Sequence, residues 1–365
     1  MYQLSSLQAA RGLAALAVLA FHSLFINAKY VQGESLLPEA FAFGQTGVDL
    51  FFSISGFVMT IAFRDKFGVK GEIFNFLINR FFRIYPIYWV YFAAIFLVFK
   101  IRPEIINSSQ NGDVNLIASF FLLPYSALPL LMVAWTLIHE VWFYLVFAAI
   151  MLLPRKWVFG ALMTWLTTII CISLLANTPS NSYLRIMTHE FSLEFIFGAL
   201  AGLAYLKLVR RPINTSAPVI ALLLSGLGGV AYALVTDVVD VTQSISLERT
   251  FVVGGSYTVL LLAFALQESR NRLSVPSFFK SIGDMSYSLY LSHVLTLSVC
   301  GRAWQSLDNA VSGIWGAIIF WGISYAAVLI VAYLSYKLIE KPIMNFVATY
   351  RNNRLTATSK KEGGL

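Results

Sequence analysis

The sequence predicts an all-α, polytopic bundle of about ten transmembrane helices. Hydrophobic residues make up 58% of the chain and charged residues only 12%, with a mean hydropathy of +0.73. A soluble domain carries about twice that fraction of charged residues. Apolar runs long enough to cross a bilayer recur along the chain, and basic residues concentrate between alternate runs. Both patterns are typical of a protein that lies almost entirely within a membrane.

The expected spans are runs of about 20 apolar residues each. They occupy 8–28, 45–63, 83–101, 134–153, 157–175, 190–207, 216–235, 249–267, 283–302 and 313–338. The connection at 64–83 is rich in Lys and Arg, so the positive-inside rule predicts that it is cytoplasmic. The short turn 154–156, the segment 207–211 and the tail from Lys341 are basic as well. We therefore expect a multi-pass membrane protein with both termini in the cytoplasm.

One further apolar run, 115–131, does not fit this alternation of charge. A crossing there would place the basic turn 154–156 outside, and Pro124 and Pro129 would break a helix. We predict a re-entrant or outer-face segment packed into the protein, where irregular backbone is tolerated. The expected organisation is one membrane domain at 1–348 and a disordered cytoplasmic tail at 349–365.

Two polar residues inside the first span predict a functional stripe on that helix. Arg11 and His22 are eleven residues apart, which places them within roughly 20° of one helix face and about 16 Å apart along the axis. Charged or ionisable side chains are expensive within a membrane, so their presence indicates function. A lone buried histidine is more often structural, but the shared face with Arg11 favours a functional His22.

Other ionisable side chains are expected at a similar depth, outward of the membrane midplane. His139 and Glu140 stand near the outer start of the fourth span, and Asp49 and Ser55 occupy the outer half of the second. A histidine can accept a proton from an attacking hydroxyl, and a carboxylate beside it would set its tautomer. Glu140 and Asp49 are both candidates for that partner, and a structural network of paired charges is the alternative explanation.

Arg80 and Arg83 lie three residues apart at the cytoplasmic start of the third span, which makes them neighbours on a helix. Two such guanidinium groups can bind phosphate, although a simple membrane anchor explains them equally well. Pro86 follows early in the predicted span, where a proline is tolerated.

The sequence also argues against several classes of protein. It contains no phosphate-binding P-loop, no GxSxG, HExxH or CxxC motif, and its two cysteines both lie in apolar spans. The formal charge of +8 is explained by basic residues at the ends of spans, so no nucleic-acid partner is expected. No bound metal is expected either.

Six motifs in order resemble those of the integral-membrane acyltransferase-3 family, over about residues 5 to 345. They are the Arg-x10-His pattern of Arg11 and His22, FFSISGF at 51–57, the RxxRxxP pattern of Arg80, Arg83 and Pro86, WTLIHEVWFY at 135–144, GDMSYSLYLSH at 283–293, and Glu340-Lys341-Pro342. Each motif alone is weak, but six at matching positions are a specific signal. Two positions depart from the pattern: Thr136 replaces the usual Ser, and His139, which has no assigned role, precedes Glu140.

The resemblance implies a membrane O-acyltransferase that moves an acyl group, commonly acetyl, from acetyl-CoA to a carbohydrate or lipid-linked glycan. It also implies that this membrane is the bacterial inner (plasma) membrane. It implies that Arg11, Arg80 and Arg83 bind the CoA phosphates. His22 would be the catalytic base, aligned by Glu140 or Asp49, and either direct transfer or an acyl-histidine intermediate is compatible. The motifs add a set of further site residues: Ser55, Trp135, Tyr144, Tyr287 and His293.

A proton-coupled transporter or flippase of an acylated or lipid-linked substrate is the alternative. Ten spans with His and Glu at mid-membrane would suit proton coupling too. Such folds are commonly built from internal repeats, and the two halves of this sequence share no motif.

Overall fold

The computed structural model describes residues 4–31, 36–106, 113–176, 179–210, 217–236, 238–240, 245–307 and 313–349. These ranges are helical and contain no strand, which confirms the predicted all-α class. The proposed tail at 349–365 lies, except for its first residue, outside the described residues.

Fourteen α-helices are present in the described ranges. They are α1 (Ser5–Tyr30), α2 (Gly47–Ala62), α3 (Lys70–Ile101), α4 (Leu116–Phe121), α5 (Trp135–Met151), α6 (Arg155–Leu175), α7 (Ser182–Met187), α8 (Phe191–Leu208), α9 (Ala217–Val235), α10 (Leu247–Arg249), α11 (Gly255–Ser269), α12 (Ser277–Asp284), α13 (Ser286–Ser306) and α14 (Gly313–Ser335). A 3₁₀ segment, Glu39–Thr46, precedes α2. Two π-helical segments occur as well: Thr250–Gly254 leads into α11, and Tyr336–Glu340 continues α14.

Nine helical segments within the described residues are long and apolar enough to cross a membrane, and each corresponds to one of the ten expected spans. The remaining expected span, 283–302, forms the 21-residue helix α13. It is less apolar because serine, tyrosine and histidine occupy its buried side, including Ser288, Ser292 and His293. α13 packs between α1 and α14, so these polar groups face protein.

The 115–131 segment is not a span. Its helix α4 has only six residues and is followed by Leu122, which adopts a left-handed backbone conformation with φ of 55°. Trp89 of α3 donates a hydrogen bond from Nε1 to the Phe120 carbonyl at 3.0 Å, and the Tyr88 hydroxyl donates to the Ser119 carbonyl. The carbonyls left free at the end of this short helix are thereby satisfied, as irregular backbone beside a membrane requires.

Helix α3 begins well before the apolar run that predicted it. It starts at Lys70, so Pro86 lies in the interior of the helix and not in its first turn, where a proline is best tolerated. The consequence for function is that Arg80 and Arg83 also lie within α3, on its inward side, where the helix passes α5 and α13.

Close packing between α2 and α8 depends on two glycines. A Cβ atom at Gly198 would lie 1.9 Å from the Ser53 carbonyl oxygen, and one at Gly56 would lie 2.0 Å from the Phe195 carbonyl oxygen. Small residues allow such backbone contact between membrane helices. Ser53 and Glu194 are therefore held in the fully buried centre of the bundle.

Candidate active site

A cavity of about 100 Å³ opens among α1, α2, α3, α5 and α13. Its polar lining comes from residues that are far apart in sequence: Arg11, Ser55, Arg80, Arg83, Thr136, Glu140, Tyr144, Ser286, Tyr287 and Tyr290. Seven of the predicted site residues therefore meet here, namely Arg11, Ser55, Arg80, Arg83, Glu140, Tyr144 and Tyr287. Three guanidinium groups and one carboxylate make the cavity cationic.

Two of the cavity arginines, Arg80 and Arg11, are able to bind an anionic ligand. The guanidinium of Arg80 lies against the rings of Phe63, Phe76 and Tyr144, with its central carbon 5.5–5.8 Å from the ring centres. Its Nε is buried and makes no hydrogen bond with the described part of the chain. Arg11 interacts electrostatically with Arg83 and with the carboxylates of Glu340 and Glu140. Two arginines this close repel each other, so an anion between them would be stabilised.

Glu140 is held at the wall of this cavity by hydrogen bonds from neighbouring hydroxyls. Tyr144, one helical turn further along α5, donates to its Oε1, and Ser55 of α2 donates to the same oxygen at 3.3 Å. No hydrogen bond joins Glu140 to His22 in the described residues.

Asp49, the other predicted partner of His22, forms a buried ion pair instead. Arg249 donates from Nε to Oδ1 at 3.2 Å and from Nη2 to Oδ2 at 2.7 Å, and its Nη1 donates to Gln45 at 3.0 Å. Both side chains are buried. Glu194 completes this group, since its carboxyl interacts with Asp49 and Arg249. The structure thus gives Asp49 a structural contact and no hydrogen bond to His22 within the described residues.

His22 is paired with a second histidine. Its Nδ1 lies 2.9 Å from the Val18 carbonyl oxygen and 3.2 Å from Nε2 of His293. Nδ1 of His293 in turn lies 2.7 Å from the Tyr290 carbonyl oxygen. Because a carbonyl oxygen only accepts, the network assigns a proton to Nδ1 of both rings. The one proton on Nδ1 of His22 is then shared between the Val18 carbonyl oxygen and Nε2 of His293, and Nε2 of His22 keeps its lone pair.

His22 stands beyond the cavity rather than in its lining. It lies eleven residues past Arg11 on α1, about 16 Å along the helix axis. Tyr290 connects the two places, because it lines the cavity and its ring centre is 5.7 Å from that of His293. The hydroxyl of Tyr290 shares a 2.9 Å hydrogen bond with Thr136.

Two predicted site residues have structural contacts. The Tyr287 hydroxyl donates to the Ile84 carbonyl at 2.8 Å, so it links α13 to α3 at the cavity wall. Trp135 lies outside the cavity lining, where its ring packs at 5.8 Å from His139 and 5.5 Å from Phe191. His139 stacks edge-on against His189 with ring centres 4.7 Å apart, away from His22.

Over the residues described, no three His, Cys, Asp or Glu side chains converge as metal ligands would.

Sequence reasoning missed Arg249 and Tyr290 as members of these networks. Arg249 stands at the start of an apolar run on the side predicted to be poor in basic residues. An arginine placed against the expected charge bias, with a buried Asp elsewhere in the chain, was the available signal. Tyr290 belonged to a quoted motif, but nothing in the sequence distinguished it from Tyr287.

Comparison with known proteins adds independent information. A family model of the acyltransferase-3 type, described as an acyltransferase domain, matches residues 4–337. The exopolysaccharide production protein ExoZ of Rhizobium meliloti is 27% identical over 317 residues, which cover 83% of this chain and 90% of the relative. The peptidoglycan O-acetyltransferase OatA of Listeria monocytogenes is 28% identical over 378 aligned positions, 93% of this chain but 55% of the relative. No solved structure matches.

Proposed function

Because the chain belongs to the acyltransferase-3 family and is a multi-pass membrane O-acyltransferase, we propose that it acylates a polysaccharide. The acyl group is acetyl, the donor is acyl-CoA bound from the cytoplasmic side, and the acceptor is a cell-surface or exported glycan or its lipid-linked precursor. The names of the two relatives, one for exopolysaccharide production and one for peptidoglycan O-acetylation, support this choice of acceptor.

The observation that carries the proposal is the convergence of Arg11, Arg80 and Arg83 on one cavity. The planar guanidinium fork suits the phosphate oxygens of coenzyme A. The volume of about 100 Å³ is below the roughly 300–1,000 Å³ typical of pockets that enclose a whole ligand. We infer that the cavity holds the diphosphate of coenzyme A against these arginines, with the nucleotide at its mouth and the acyl-pantetheine arm extending along α1 toward His22.

Transfer then follows from the histidine pair. Nε2 of His22 accepts the proton of the acceptor hydroxyl while the hydroxyl oxygen attacks the thioester carbonyl carbon. The carbon–sulfur bond breaks, CoA leaves as the thiolate, and the proton on His22 returns to that sulfur. His293 and the Val18 carbonyl hold the ring so that Nε2 faces the reacting atoms. The acyl-histidine route uses the same nitrogen as the nucleophile.

The two predicted carboxylates take indirect parts in this proposal. Glu140 holds Tyr144 and Ser55 at the donor cavity and balances the arginine charges. Asp49 holds Arg249. For either to align His22 directly, it would have to leave its present hydrogen bonds, so the geometry favours His293 as the aligning group.

The test is donor turnover by purified protein in detergent with labelled acetyl-CoA. We expect release of CoA, with transfer of the label to a glycan acceptor. His22→Ala should lower the rate by about 10²–10⁴-fold, the usual contribution of a general base. Arg83→Gln should chiefly raise the KM for acetyl-CoA.

Arg64→Gln is the matched control, since Arg64 is an exposed arginine outside the cavity that pairs with Asp65. Intact acetyl-CoA after incubation with the folded wild-type protein would favour the transporter alternative. Retained transfer in His22→Ala would remove His22 from the mechanism.

A further inference from the structure

A second recess lies at the opposite end of α1 from the donor cavity. It has a volume of about 380 Å³. Its charged and polar lining comes from the ends of three helices and consists of Lys29, Tyr30, Arg102, Glu104, Arg302 and Gln305. We refer to these six residues as the basic recess.

The basic recess carries excess positive charge. The recess contains three cations, Lys29, Arg102 and Arg302. The guanidinium of Arg102 lies 3.6 Å from the carboxylate of Glu104, so one of the three charges is compensated. Lys29 and Arg302 make no ion pair with the described residues. They lie instead over the ring of Tyr30, at 5.5 Å and 5.9 Å from its centre. Both cations therefore lie beside one ring without a carboxylate partner among the described residues, and a bound anion would compensate their charge.

The recess is held by packed helix ends. Tyr30 is buried and lies directly against Gly301, where a Cβ atom would come within 2.4 Å of the ring. The Gln305 amide donates to the Lys29 carbonyl at 3.4 Å. The helix ends that carry Lys29 and Arg302 are therefore held against each other by the same contact that joins α1 and α13.

Its position along α1 relates it to the reaction. Lys29 is eighteen residues beyond Arg11, or about 27 Å along the axis, and seven residues beyond His22, or about 10 Å. His22 thus lies between the donor cavity and the basic recess. On the proposed topology the recess faces outward, where the positive-inside rule disfavours a cluster of basic residues, so membrane insertion does not account for it.

We propose that the basic recess binds a negatively charged group of the acceptor, so that the enzyme acylates an anionic glycan. The shared chemistry is a carboxylate or phosphate oxygen bound by Lys29 and Arg302, and it has two sources: an acidic sugar in the chain, or the pyrophosphate of a lipid-linked precursor. The distance to His22 leaves room for sugar between the charged group and the reacting hydroxyl. This inference rests on the proposed function for its role in catalysis, but anion binding can be tested without it.

The test uses the full protein in nanodiscs of phosphatidylcholine, a lipid without net charge. Binding of three labelled probes is measured: oligogalacturonate, its carboxyl-reduced neutral form, and a polyprenyl-pyrophosphate disaccharide. The wild type should bind one of the two anionic probes and not the neutral form, and that probe identifies the source of the charge. Lys29→Gln with Arg302→Gln should weaken its binding by about tenfold or more, because the double variant removes two charge-assisted hydrogen bonds to the anion.

Lys100→Gln is the matched control, because Lys100 is a basic residue near the same end of α3 that lies over Phe96 outside the recess. Hydrolysis of acetyl-CoA without acceptor should remain unchanged in the double variant, which separates this proposal from the donor chemistry. Equal binding of both anionic probes by the double variant and the wild type would overturn the proposal. The proposal would also be overturned if the wild type and the double variant differed only in phosphatidylglycerol nanodiscs. The recess would then be a lipid headgroup site.

Discussion

At the residue scale, the chemistry that we propose depends on which group aligns His22. A histidine that acts as a general base needs one ring nitrogen held by hydrogen bonds and the other free to accept a proton. In the structure, His293 and the Val18 carbonyl hold Nδ1 of His22. Two neutral imidazoles avoid the cost of burying a carboxylate in the membrane. Such a pair can work only while His293 accepts through Nε2, which its own Nδ1 contact with Tyr290 ensures.

His293→Ala should therefore reduce kcat by about 10–100-fold, the range found when a group that orients a metal-bound histidine is removed. The KM for acetyl-CoA should change little, because His293 is not part of the arginine cavity. Steady-state kinetics in which each substrate is varied in turn separate the effect on kcat from the effect on KM. His189→Gln is the control histidine, since it pairs with His139 elsewhere in the bundle. A rise in the KM for the donor with unchanged kcat would contradict a positioning role.

Asp49 offers a separate test, because its contacts predict a structural effect. Asp49→Ala leaves Arg249 buried without its carboxylate, which should lower the free energy of unfolding by about 3–5 kcal/mol. A thermal-shift or denaturant measurement in detergent, run beside exposed Asp65→Ala, gives the comparison. If Asp49→Asn kept full stability and lost all transfer, Asp49 would instead belong to the catalytic machinery as the sequence suggested.

At the element scale, the α2–α8 contact and the length of α3 position the site. Ser55 reaches Glu140 because α2 is held against α8 through backbone contact at Gly56 and Gly198. Arg80 and Arg83 reach the cavity because α3 starts about four turns before its apolar run and carries them on its inward face. Small residues and helix extension are thus the local causes of the cavity.

Gly198→Ala should destabilise the protein by about 1–3 kcal/mol, because the added methyl group meets a carbonyl oxygen that cannot move away without separating the helices. Gly322→Ala is the matched control on α14, where nothing lies within 4 Å. There the usual helix preference for alanine should leave stability unchanged or raise it by up to about 1 kcal/mol. Melting temperatures of the two purified variants provide the measurement; equal shifts would argue against close α2–α8 packing.

At the scale of the whole molecule, the two recesses require a defined orientation in the membrane. The donor cavity should face the cytoplasm, where acyl-CoA is made, and the basic recess the outer side. Single cysteines in a Cys171→Ala, Cys300→Ala background test this. Leu307→Cys, beyond the end of α13, should react with a membrane-impermeant thiol reagent on intact cells, and Lys66→Cys should react only after lysis. The reverse pattern would invert the proposed topology.

Sequence reasoning found much of this fold because bilayer thickness and charge bias act on local segments. Each of the nine apolar helices was expected, and the 115–131 segment was expected not to span. Helix periodicity also placed Arg11 and His22 on one helix. The contacts between helices were not accessible in the same way: His22 and His293 are 271 residues apart, and Asp49 and Arg249 are 200 apart.

The sequence by itself therefore determined the class of protein, the apolar spans and the family, and it supplied the residues that we propose for the chemistry. The tertiary structure alone decided which of those residues meet: three arginines with Glu140, His22 with His293, and Asp49 with Arg249. The physical reason is that a span is defined by its own hydrophobicity, whereas the rotation and depth of one helix against another depend on packing with several neighbours at once.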